Sequence, residues 1–291
     1  MPVPIYNTAS LTFEFGSQKK SASSNIAMTT LQEALSITKS SLGEAYTENG
    51  EITFMISVTN NYTESVKNIK ITDNLGSYSL NSNLCDKLFT PLTYIGPSFL
   101  YLGGTLFSNI EPKVLQDKIT FIVPTIPAKS NALIIYKTYV NEFAPLVTGS
   151  IITSTATLSS KILTHSLNAS VSITVKDQAD VRIIKNMSPN PVLPGEKITY
   201  SFSLYNYGNT EAKNVVLNDT FIPSPEVISV YLKSSEILTD DFSYINGTIT
   251  IPSYDSKLDI SVPPATFEQD SVTGTISPTP GIVSIIVKGQ I

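Results

Sequence analysis

Few side chains in this 291-residue chain could support catalysis by a nucleophile and a base. His165 is the only histidine, so a Ser-His-Asp or Cys-His arrangement would have to be built around it. It lies next to Ser166 in a predicted loop that contains no nucleophile motif. We therefore predict a solvated loop histidine and a protein that is not an enzyme.

Candidate sites for metal ions and phosphate groups are equally weak. Asp240 and Asp241, with Asp255 and Asp259 further along, could bind calcium loosely. The chain lacks an EF-hand type calcium loop, so a solubilising acidic face is the favoured interpretation. Gly103-Gly104 is an isolated pair and is too little for a phosphate-binding loop. We predict no cofactor and no metal.

The composition sets limits on the class of protein. Apolar residues make up 41% of the chain, enough for packed cores, and the length fits two domains. The net charge of -5, without a basic cluster, argues against nucleic acid, and no apolar run is long enough for membrane insertion. Cys85 is the only cysteine, for which a small buried hydrophobe is favoured over an intermolecular bridge. Residues 1–6 lack the features of a signal peptide, so we expect either a trimmed signal or export without one.

An internal duplication organises the elements that would position any site. Residues 50–73 match residues 195–219, and the same offset joins Lys39 to Lys185 upstream. Asp73 and Asp219 illustrate the spacing, since 219 − 73 = 146. Apolar and polar residues alternate through both copies, and turn residues separate the alternating segments, which indicates many short β-strands. The predicted fold is all-β, with two tandem immunoglobulin-like β-sandwich domains and an N-terminal β-hairpin extension.

A family resemblance rests on a run of short motifs in the second copy. The motifs are Lys185 at a strand end, Gly195-Glu196, Asn206-x-Gly208, Ala212-x-Asn214-Val215 and Asp219-Thr220-x-x-Pro223. The pattern resembles the DUF11 repeat, although the first copy departs from it at Asp73-Asn74-Leu75-Gly76. The resemblance covers most of residues 33–291. Within this family, the chain resembles the two-repeat spore-appendage proteins in particular. The resemblance implies an Ig-like sandwich, a stalk or fibre role, and an extracellular location on a bacterial cell or spore surface.

The two copies do not end alike. Repeat 1 (33–177) closes with two strands at 153–158 and 171–175, whereas repeat 2 (178–291) has no counterpart of them. A similar pair occurs at 6–11 and 26–29, in front of repeat 1. We therefore predict that residues 1–32 form a donor hairpin that completes repeat 2 of another subunit. The open alternative is a flexible arm, with repeat 2 completed by an atypical strand order.

The predicted contact is head-to-tail and does not close, so it would propagate as a homopolymer, with an anchoring protein at the cell or spore surface as a further candidate partner. The residues assigned to this subunit interface are Asn7, Ala9, Leu11, Phe13, Ile26 and Met28. Burial of the four large apolar side chains among them would contribute about 6–12 kcal/mol in total before ordering costs.

Some Ig-like pilins and adhesins of Gram-positive bacteria join a first-strand lysine to a last-strand asparagine with the help of a carboxyl group. By that resemblance, Lys185 of one subunit could form an isopeptide bond with Asn7 of the next, assisted by Asp219. Lys39 has Ser154 at the corresponding position and so has no asparagine to react with. The alternative is a pair of solvated lysines at strand ends.

A second function remains open at this level, namely a monomeric adhesin or stalk that binds a ligand. Its binding tip would be a predicted insertion at 77–118, which is rich in large side chains such as Tyr94, Phe99 and Tyr101. The competing interpretation of this segment is a set of extra strands that thicken the sandwich.

Overall fold

The computed structural model describes residues 3–31, 33–79 and 87–291. Within these ranges the regular structure is β-strand, apart from one short 3-10 turn at Thr239–Asp241. No helix in the described ranges has the length and apolar character needed to cross a membrane. The predicted all-β class is therefore confirmed.

The N-terminal segment forms one long two-stranded hairpin. Its outer part pairs β1 with β4, and its inner part pairs β2 with β3 around a turn in which Gly16 has a φ of +65°. The side chains of residues 4–30 are exposed on both faces of this hairpin. The four strands are β1 Val3–Asn7, β2 Ser10–Phe15, β3 Gln18–Ser23 and β4 Ala27–Leu31.

Repeat 1 is a sandwich of two sheets around one core. One sheet has the strand order β12-β11-β15-β7-β5 and the other has β13-β14-β8-β16-β17-β6. Alternate residues of β7 are buried, as the period-two pattern requires, and they meet those of β8 and β16 between the sheets. The strands are β5 Leu35–Leu42, β6 Ala45–Tyr46, β7 Glu51–Asn60, β8 Val66–Asp73, β9 Tyr78–Ser79, β10 Leu88–Phe89, β11 Leu92–Leu102, β12 Thr105–Asn109, β13 Lys113–Val114, β14 Ile119–Ile126, β15 Asn131–Val140, β16 Ile151–Ser159 and β17 Leu167–Val175.

Repeat 2 repeats this plan around a second, smaller core. Its larger sheet has the order β18-β19-β27-β21-β22, but its opposing sheet has only β20-β24-β23 in the part of the chain described. The strands are β18 Val181–Ser188, β19 Lys197–Asn206, β20 Leu217–Thr220, β21 Glu226–Leu232, β22 Ser235–Glu236, β23 Ser243–Ile245, β24 Thr248–Ile251, β25 Thr266–Gln269, β26 Ile276–Thr279 and β27 Gly281–Gln290.

The structure reproduces the duplication at the level of single hydrogen bonds. Asn60 ends β7 and donates from Nδ2 to Ile126 O, and Asn206 ends β19 and donates from Nδ2 to Val262 O. Asn68 and its counterpart 146 positions later both adopt a left-handed backbone, with φ values of 54° and 53°. The offset read from the sequence is therefore an offset in structure.

The binding tip predicted at 77–118 does not form from the large side chains assigned to it. The main strand of this segment, β11, pairs with β15 inside the larger sheet, and β21 pairs with β27 in the same way in repeat 2. Repeat 1 is nevertheless longer than repeat 2 in this segment, because Asp73 and its partner Ile119 are 46 positions apart, whereas Asp219 and its partner Ile249 are 30 apart. Tyr94, Phe99 and Tyr101 lie half-buried in β11 and do not form a projecting tip. The tip was expected here because the sequence shows the large side chains but not that their strand is one that both repeats share.

Repeat 2 is incomplete at one side. In repeat 1, β8 lies between β14 and β16, whereas its counterpart β20 pairs only with β24 among the described residues. Strand β5 has buried positions beneath β17, but every residue of its counterpart β18 is exposed. The missing cover corresponds to β16 and β17, the closing hairpin of repeat 1.

Candidate functional site

Repeat 1 contains a fully buried ionic network between its two sheets. Lys39 on β5 donates from Nζ to Asp73 Oδ2, at the end of β8, and to Ser154 Oγ, on β16. Ser154 donates in turn to Asp73 Oδ1 at 2.8 Å. The side chains of the lysine and the aspartate are wholly shielded from solvent. The strand that carries Ser154 therefore completes the network as well as the sheet.

Burial sets the protonation behaviour of this network. Desolvation lowers the pKa of Lys39 below its ordinary value, although the neighbouring Asp73 opposes the shift. Tyr136, on β15, also donates from its hydroxyl to Asp73 Oδ2, and burial, reinforced by that carboxylate, raises its pKa well above 10. An amine close to a carboxyl group in a dry site is the setting in which lysine becomes a nucleophile.

Repeat 2 has the same pair at the same offset, but the pair is open. Lys185 Nζ lies 2.6 Å from Asp219 Oδ2, and the lysine side chain is 37% exposed. No strand in the described part of repeat 2 lies where β16 brings Ser154 to the pair in repeat 1. The third member of the network is therefore missing, together with the strand that would supply it.

Three aromatic rings surround the open lysine, a feature that the sequence analysis missed. Tyr200, Phe202 and Phe221 have their ring centroids 5.2, 5.4 and 5.2 Å from Lys185 Nζ. Burial, with the nearby Asp219 charge, raises the pKa of Tyr200. The offset of 146 could have located these three rings, because their positions correspond to Phe54, Ile56 and Leu75 in repeat 1. The rings hold the ammonium group beside its carboxylate while the covering strand is absent.

The N-terminal hairpin carries the missing side chain in a matching frame. Residues 5–11 read IYNTASL, and residues 152–158 of β16 read ITSTATL, so Asn7 stands where Ser154 stands. Ser154 pairs with Val171 across β16 and β17, and Asn7 pairs with Ala27 across β1 and β4, so both hairpins place a small apolar residue opposite. The hairpin therefore resembles the closing hairpin of repeat 1, with an amide in place of the hydroxyl.

The register corrects one residue of the predicted interface. Met28 lies directly opposite Tyr6, whereas Asn7 and its partner Ala27 are the next positions along. Because successive residues of a strand point to opposite faces, Met28 does not share the face of Asn7. Ile26 lies between β3 and β4 and belongs to neither strand. The pattern match with β16 assigns Ala9 and Leu11 to the face of Asn7, and alternation along β2 adds Phe13.

The other candidate groups do not assemble into a site. His165 lies in an exposed loop, with Nε2 3.9 Å from Glu33 Oε1. Asp241 accepts a hydrogen bond from Ser256, and within residues 3–31, 33–79 and 87–291 no group of three His, Cys, Asp or Glu side chains could hold a metal ion. Cys85 lies outside the described residues.

Comparisons with known proteins give weak similarity. No family model and no curated protein matches the chain. The major pilin subunit BcpA of Bacillus cereus is 15% identical, with 92% of this chain and 75% of that chain covered and a TM-score of 0.37. The T6 backbone pilin of Streptococcus pyogenes serotype M6 is 11% identical, with 81% and 68% covered and a TM-score of 0.38. BslA, a bacterial hydrophobin, is 13% identical, with 50% and 98% covered and a TM-score of 0.29. The assignment of the fold therefore rests on the sheets themselves, and no functional argument rests on these similarities.

Proposed function

We propose that the protein is a structural subunit that assembles head-to-tail into a fibre by donor-strand complementation. One observation carries this proposal: repeat 2 has an open Lys185–Asp219 pair at the place where a strand is missing, and the hairpin presents Asn7 in the frame of that strand. The N-terminal hairpin of one subunit would insert beside β18 and β20 of the next, as β16 and β17 do in repeat 1.

The position of the hairpin favours a neighbouring subunit as its acceptor. It joins repeat 1 at Leu35, which pairs with Asn60 at one pole of the sandwich. Repeat 2 leaves from the other pole, where Lys176 N donates to Tyr46 O. Asn7 pairs with Ala27, which is eight residues before Leu35 and so at most about 26 Å from that pole, whereas the ten-residue strands of repeat 1 alone span roughly 33 Å. The hairpin therefore cannot reach the gap in its own repeat 2, and the contact extends from subunit to subunit.

Burial supplies the driving force for insertion. Ile5, Leu11 and Phe13 are each about half exposed in the subunit, with exposed fractions of 46%, 57% and 46%. Ile183 and Met187 on β18 are also uncovered. Burying a large apolar side chain contributes about 1.5–3 kcal/mol, so these residues together outweigh the ordering of a hairpin whose strands are already paired. The added backbone pairs also remove the open edge of β20.

A covalent lock would follow from the same geometry. Insertion would exclude water from around Lys185, as β16 does around Lys39, and a dry site disfavours a charged amine. Lys185 Nζ then forms a bond to Asn7 Cγ, the Cγ–Nδ2 bond breaks, and Nδ2 leaves as ammonia. Asp219 takes a proton from the attacking nitrogen and passes it to the leaving nitrogen. The balance needs no oxidant and no other reactant.

Assembly is tested by negative-stain microscopy of the full chain and of a variant that lacks residues 1–32. We expect fibres from the full chain, and dispersed particles from the truncated variant that regain fibres only when the hairpin is restored. Dispersed particles from both proteins, or fibres from both, would overturn the proposal.

The covalent lock is tested on fibres boiled in detergent. Asn7→Ser is the matched variant, because it places the natural residue of repeat 1 opposite Lys185. We expect a ladder of linked subunits from the wild-type fibre, each link lighter by the mass of one ammonia, and monomers from Asn7→Ser fibres. Monomers from the wild-type fibre would remove the covalent step and leave the donor-strand proposal intact.

The proposed location is extracellular, on a bacterial cell or spore surface. The resemblance to DUF11 repeats supports this part of the proposal, since that family is typical of such surfaces. The subunit at one end of a fibre keeps a free hairpin, so an anchoring protein with an incomplete sandwich of the same kind is a suitable partner at that end.

A further inference from the structure

Repeat 2 has an extra arm at the pole that faces repeat 1. Ile126 and Val262 accept the equivalent hydrogen bonds from Asn60 and Asn206, so the segments that follow them correspond. In repeat 1 that segment is a short turn, 127–130, before β15. In repeat 2 it is the much longer stretch 263–280, which folds into the antiparallel strands β25 and β26 before β27 begins. We call this pair of strands the clasp hairpin.

The clasp hairpin lies against repeat 1. Gln269 Nε2 donates to Tyr78 OH at 2.6 Å, and Ile276 N donates to Glu142 O at 2.8 Å. Lys87 Nζ reaches back to Val272 O at 2.7 Å. These bonds join side chains and backbone of both repeats, so they fix the position of the arm as well as holding it.

Apolar contacts reinforce the clasp hairpin. Phe267 packs against the core of repeat 1. Gly274 adopts a φ of +79° and lies so close to Phe89 that a Cβ atom at this position would be 1.9 Å from the ring. Only glycine allows this approach, both for its backbone angle and for the space that it leaves.

A second fastening holds the linker between the repeats. Asn209 donates from Nδ2 to Leu146 O at 3.1 Å and to Lys176 O at 3.2 Å. The backbone carbonyl oxygen of Asn209 accepts a hydrogen bond from Thr148 Oγ1 at 3.0 Å. The clasp hairpin and the Asn209 hydrogen bonds are two separate sets of contacts between the repeats. Together they resist both bending and twisting of one repeat against the other, because rotation about one set must break the other.

Among the described residues, the outer pole of repeat 1 has no counterpart of the clasp hairpin or of the hydrogen bonds that Asn209 makes. Its turn 127–130 is bonded to its own repeat, with Lys129 N donating to Tyr62 O and Lys129 Nζ donating to Asn61 O. The position that corresponds to Asn209 is Thr63, which is exposed. This pole carries the N-terminal hairpin, so in a fibre it would meet the subunit whose repeat 2 accepts that hairpin.

We infer that the joint within each subunit is rigid and that the joint between subunits bends. The first half rests on the contacts just described, and the second half rests on the proposed function. A fibre of this kind flexes once per subunit, at alternate joints along its length, and the clasp hairpin is the element that decides which joints flex.

The rigid joint is tested by distance measurements between two spin labels, one on each repeat. Lys70→Cys and Lys288→Cys place labels on exposed strand positions, with Cys85→Ser removing the natural thiol. Labelled full-length chains are diluted into an excess of unlabelled chains, so that only distances within one subunit contribute. We expect one narrow distribution from the wild-type background.

Two variants then loosen the clasp. In the first, Asn-Gly replaces residues 267–278, which closes a short hairpin between Thr266 and Thr279, a directly opposed pair. The second is Gly274→Ala, with Gly104→Ala as its control, because Gly104 has a similar φ of +83° but no atom within 4 Å of an added Cβ. We expect broad distributions from both clasp variants and a narrow one from the control. Narrow distributions from both clasp variants would overturn the role of the clasp hairpin, and a broad distribution from the wild-type background would overturn the rigid joint.

The flexible joint is tested on images of single fibres, by the spread of angles at successive joints. We expect a small spread within subunits, a large spread between them, and a large spread at both in the shortened-clasp variant. Equal spreads in the wild-type fibre would overturn the inference. If no fibres form, the proposed function fails along with the second half of the inference, while the spin-label distances still decide the first half.

Discussion

Lys185 occupies in repeat 2 the position that Lys39 occupies in repeat 1, yet the first is 37% exposed at its side chain and the second is fully buried. Both keep a bond to an aspartate, so the difference lies in the strand that covers them. In repeat 1 that strand brings Ser154 to the pair. Repeat 1 therefore shows the completed form of the site that is open in repeat 2.

Removing the carboxylate should affect the two repeats unequally. Asp73→Ala leaves Lys39 buried without its partner, and we expect repeat 1 to lose about 3–5 kcal/mol of stability. Asp219→Ala in the unassembled subunit leaves a lysine that can reach water, so the loss should be much smaller. Hydrogen exchange of β5 and β18 in urea measures each repeat separately. Equal losses would contradict the idea that cover by a closing strand separates the two sites.

A single substitution should allow an isopeptide bond to form within repeat 1. Ser154→Asn places an amide beside Lys39 and Asp73, which are already dry and in contact. We expect the intact mass to fall by that of one ammonia and the unfolding midpoint of repeat 1 to rise. Ser170→Asn, on the exposed face of β17, is the control and should keep its full mass. An unchanged mass in Ser154→Asn would count against the proposed chemistry at Lys185.

Tyr136 should stabilise repeat 1 in a pH-dependent way. Its folded pKa is raised well above the ordinary 10, so the folded state keeps the proton after the unfolded state has lost it. The stabilisation is therefore fully present below pH 10 and declines as the pH rises further. We expect the stability gap between wild type and Tyr136→Phe, measured in urea, to shrink above pH 10. The exposed Tyr254→Phe should show no such trend.

One face of the hairpin should control assembly. Leu11 shares the face of Asn7 by the match with Leu158, which is fully buried in repeat 1. Leu11→Ala should cost about 2–5 kcal/mol at each joint, and so raise the critical concentration for fibres at least tenfold in sedimentation assays. Thr12→Ala, at the next position along the strand, should leave that concentration nearly unchanged. Equal effects would contradict the assignment of faces.

The sequence predicted the relations that depend on repeated residues. The offset of 146 found both lysine–aspartate pairs, and the match of Asn7 to Ser154 found the amide, because corresponding residues fold alike. Met28 was assigned to the wrong face because a hairpin can shift its register between strands, and a shift of one residue reverses the face. The register shifts by one residue between the β1–β4 and β2–β3 segments, and no residue type in the sequence indicates this shift.

The clasp hairpin escaped prediction for a different reason. Its residues hold a place against Tyr78 and Phe89, which lie far away in sequence and belong to the other repeat. Alternation can reveal that a segment is a strand, but it does not reveal which surface the strand will meet. The extra length of 263–280 over 127–130 was the available signal, and it becomes visible only after the two copies have been aligned to their ends.

If subunits join as proposed, the placement of a single asparagine has a consequence for the history of each fibre. Since the amide stands at one end of the chain and the open lysine at the other, growth has a direction, and a joint made with loss of ammonia does not reopen. Subunits would then stay where they were added, with no later exchange along the length. A cell that switched between variants of this protein would leave them in successive bands, so that a mature fibre preserves the sequence of its own synthesis.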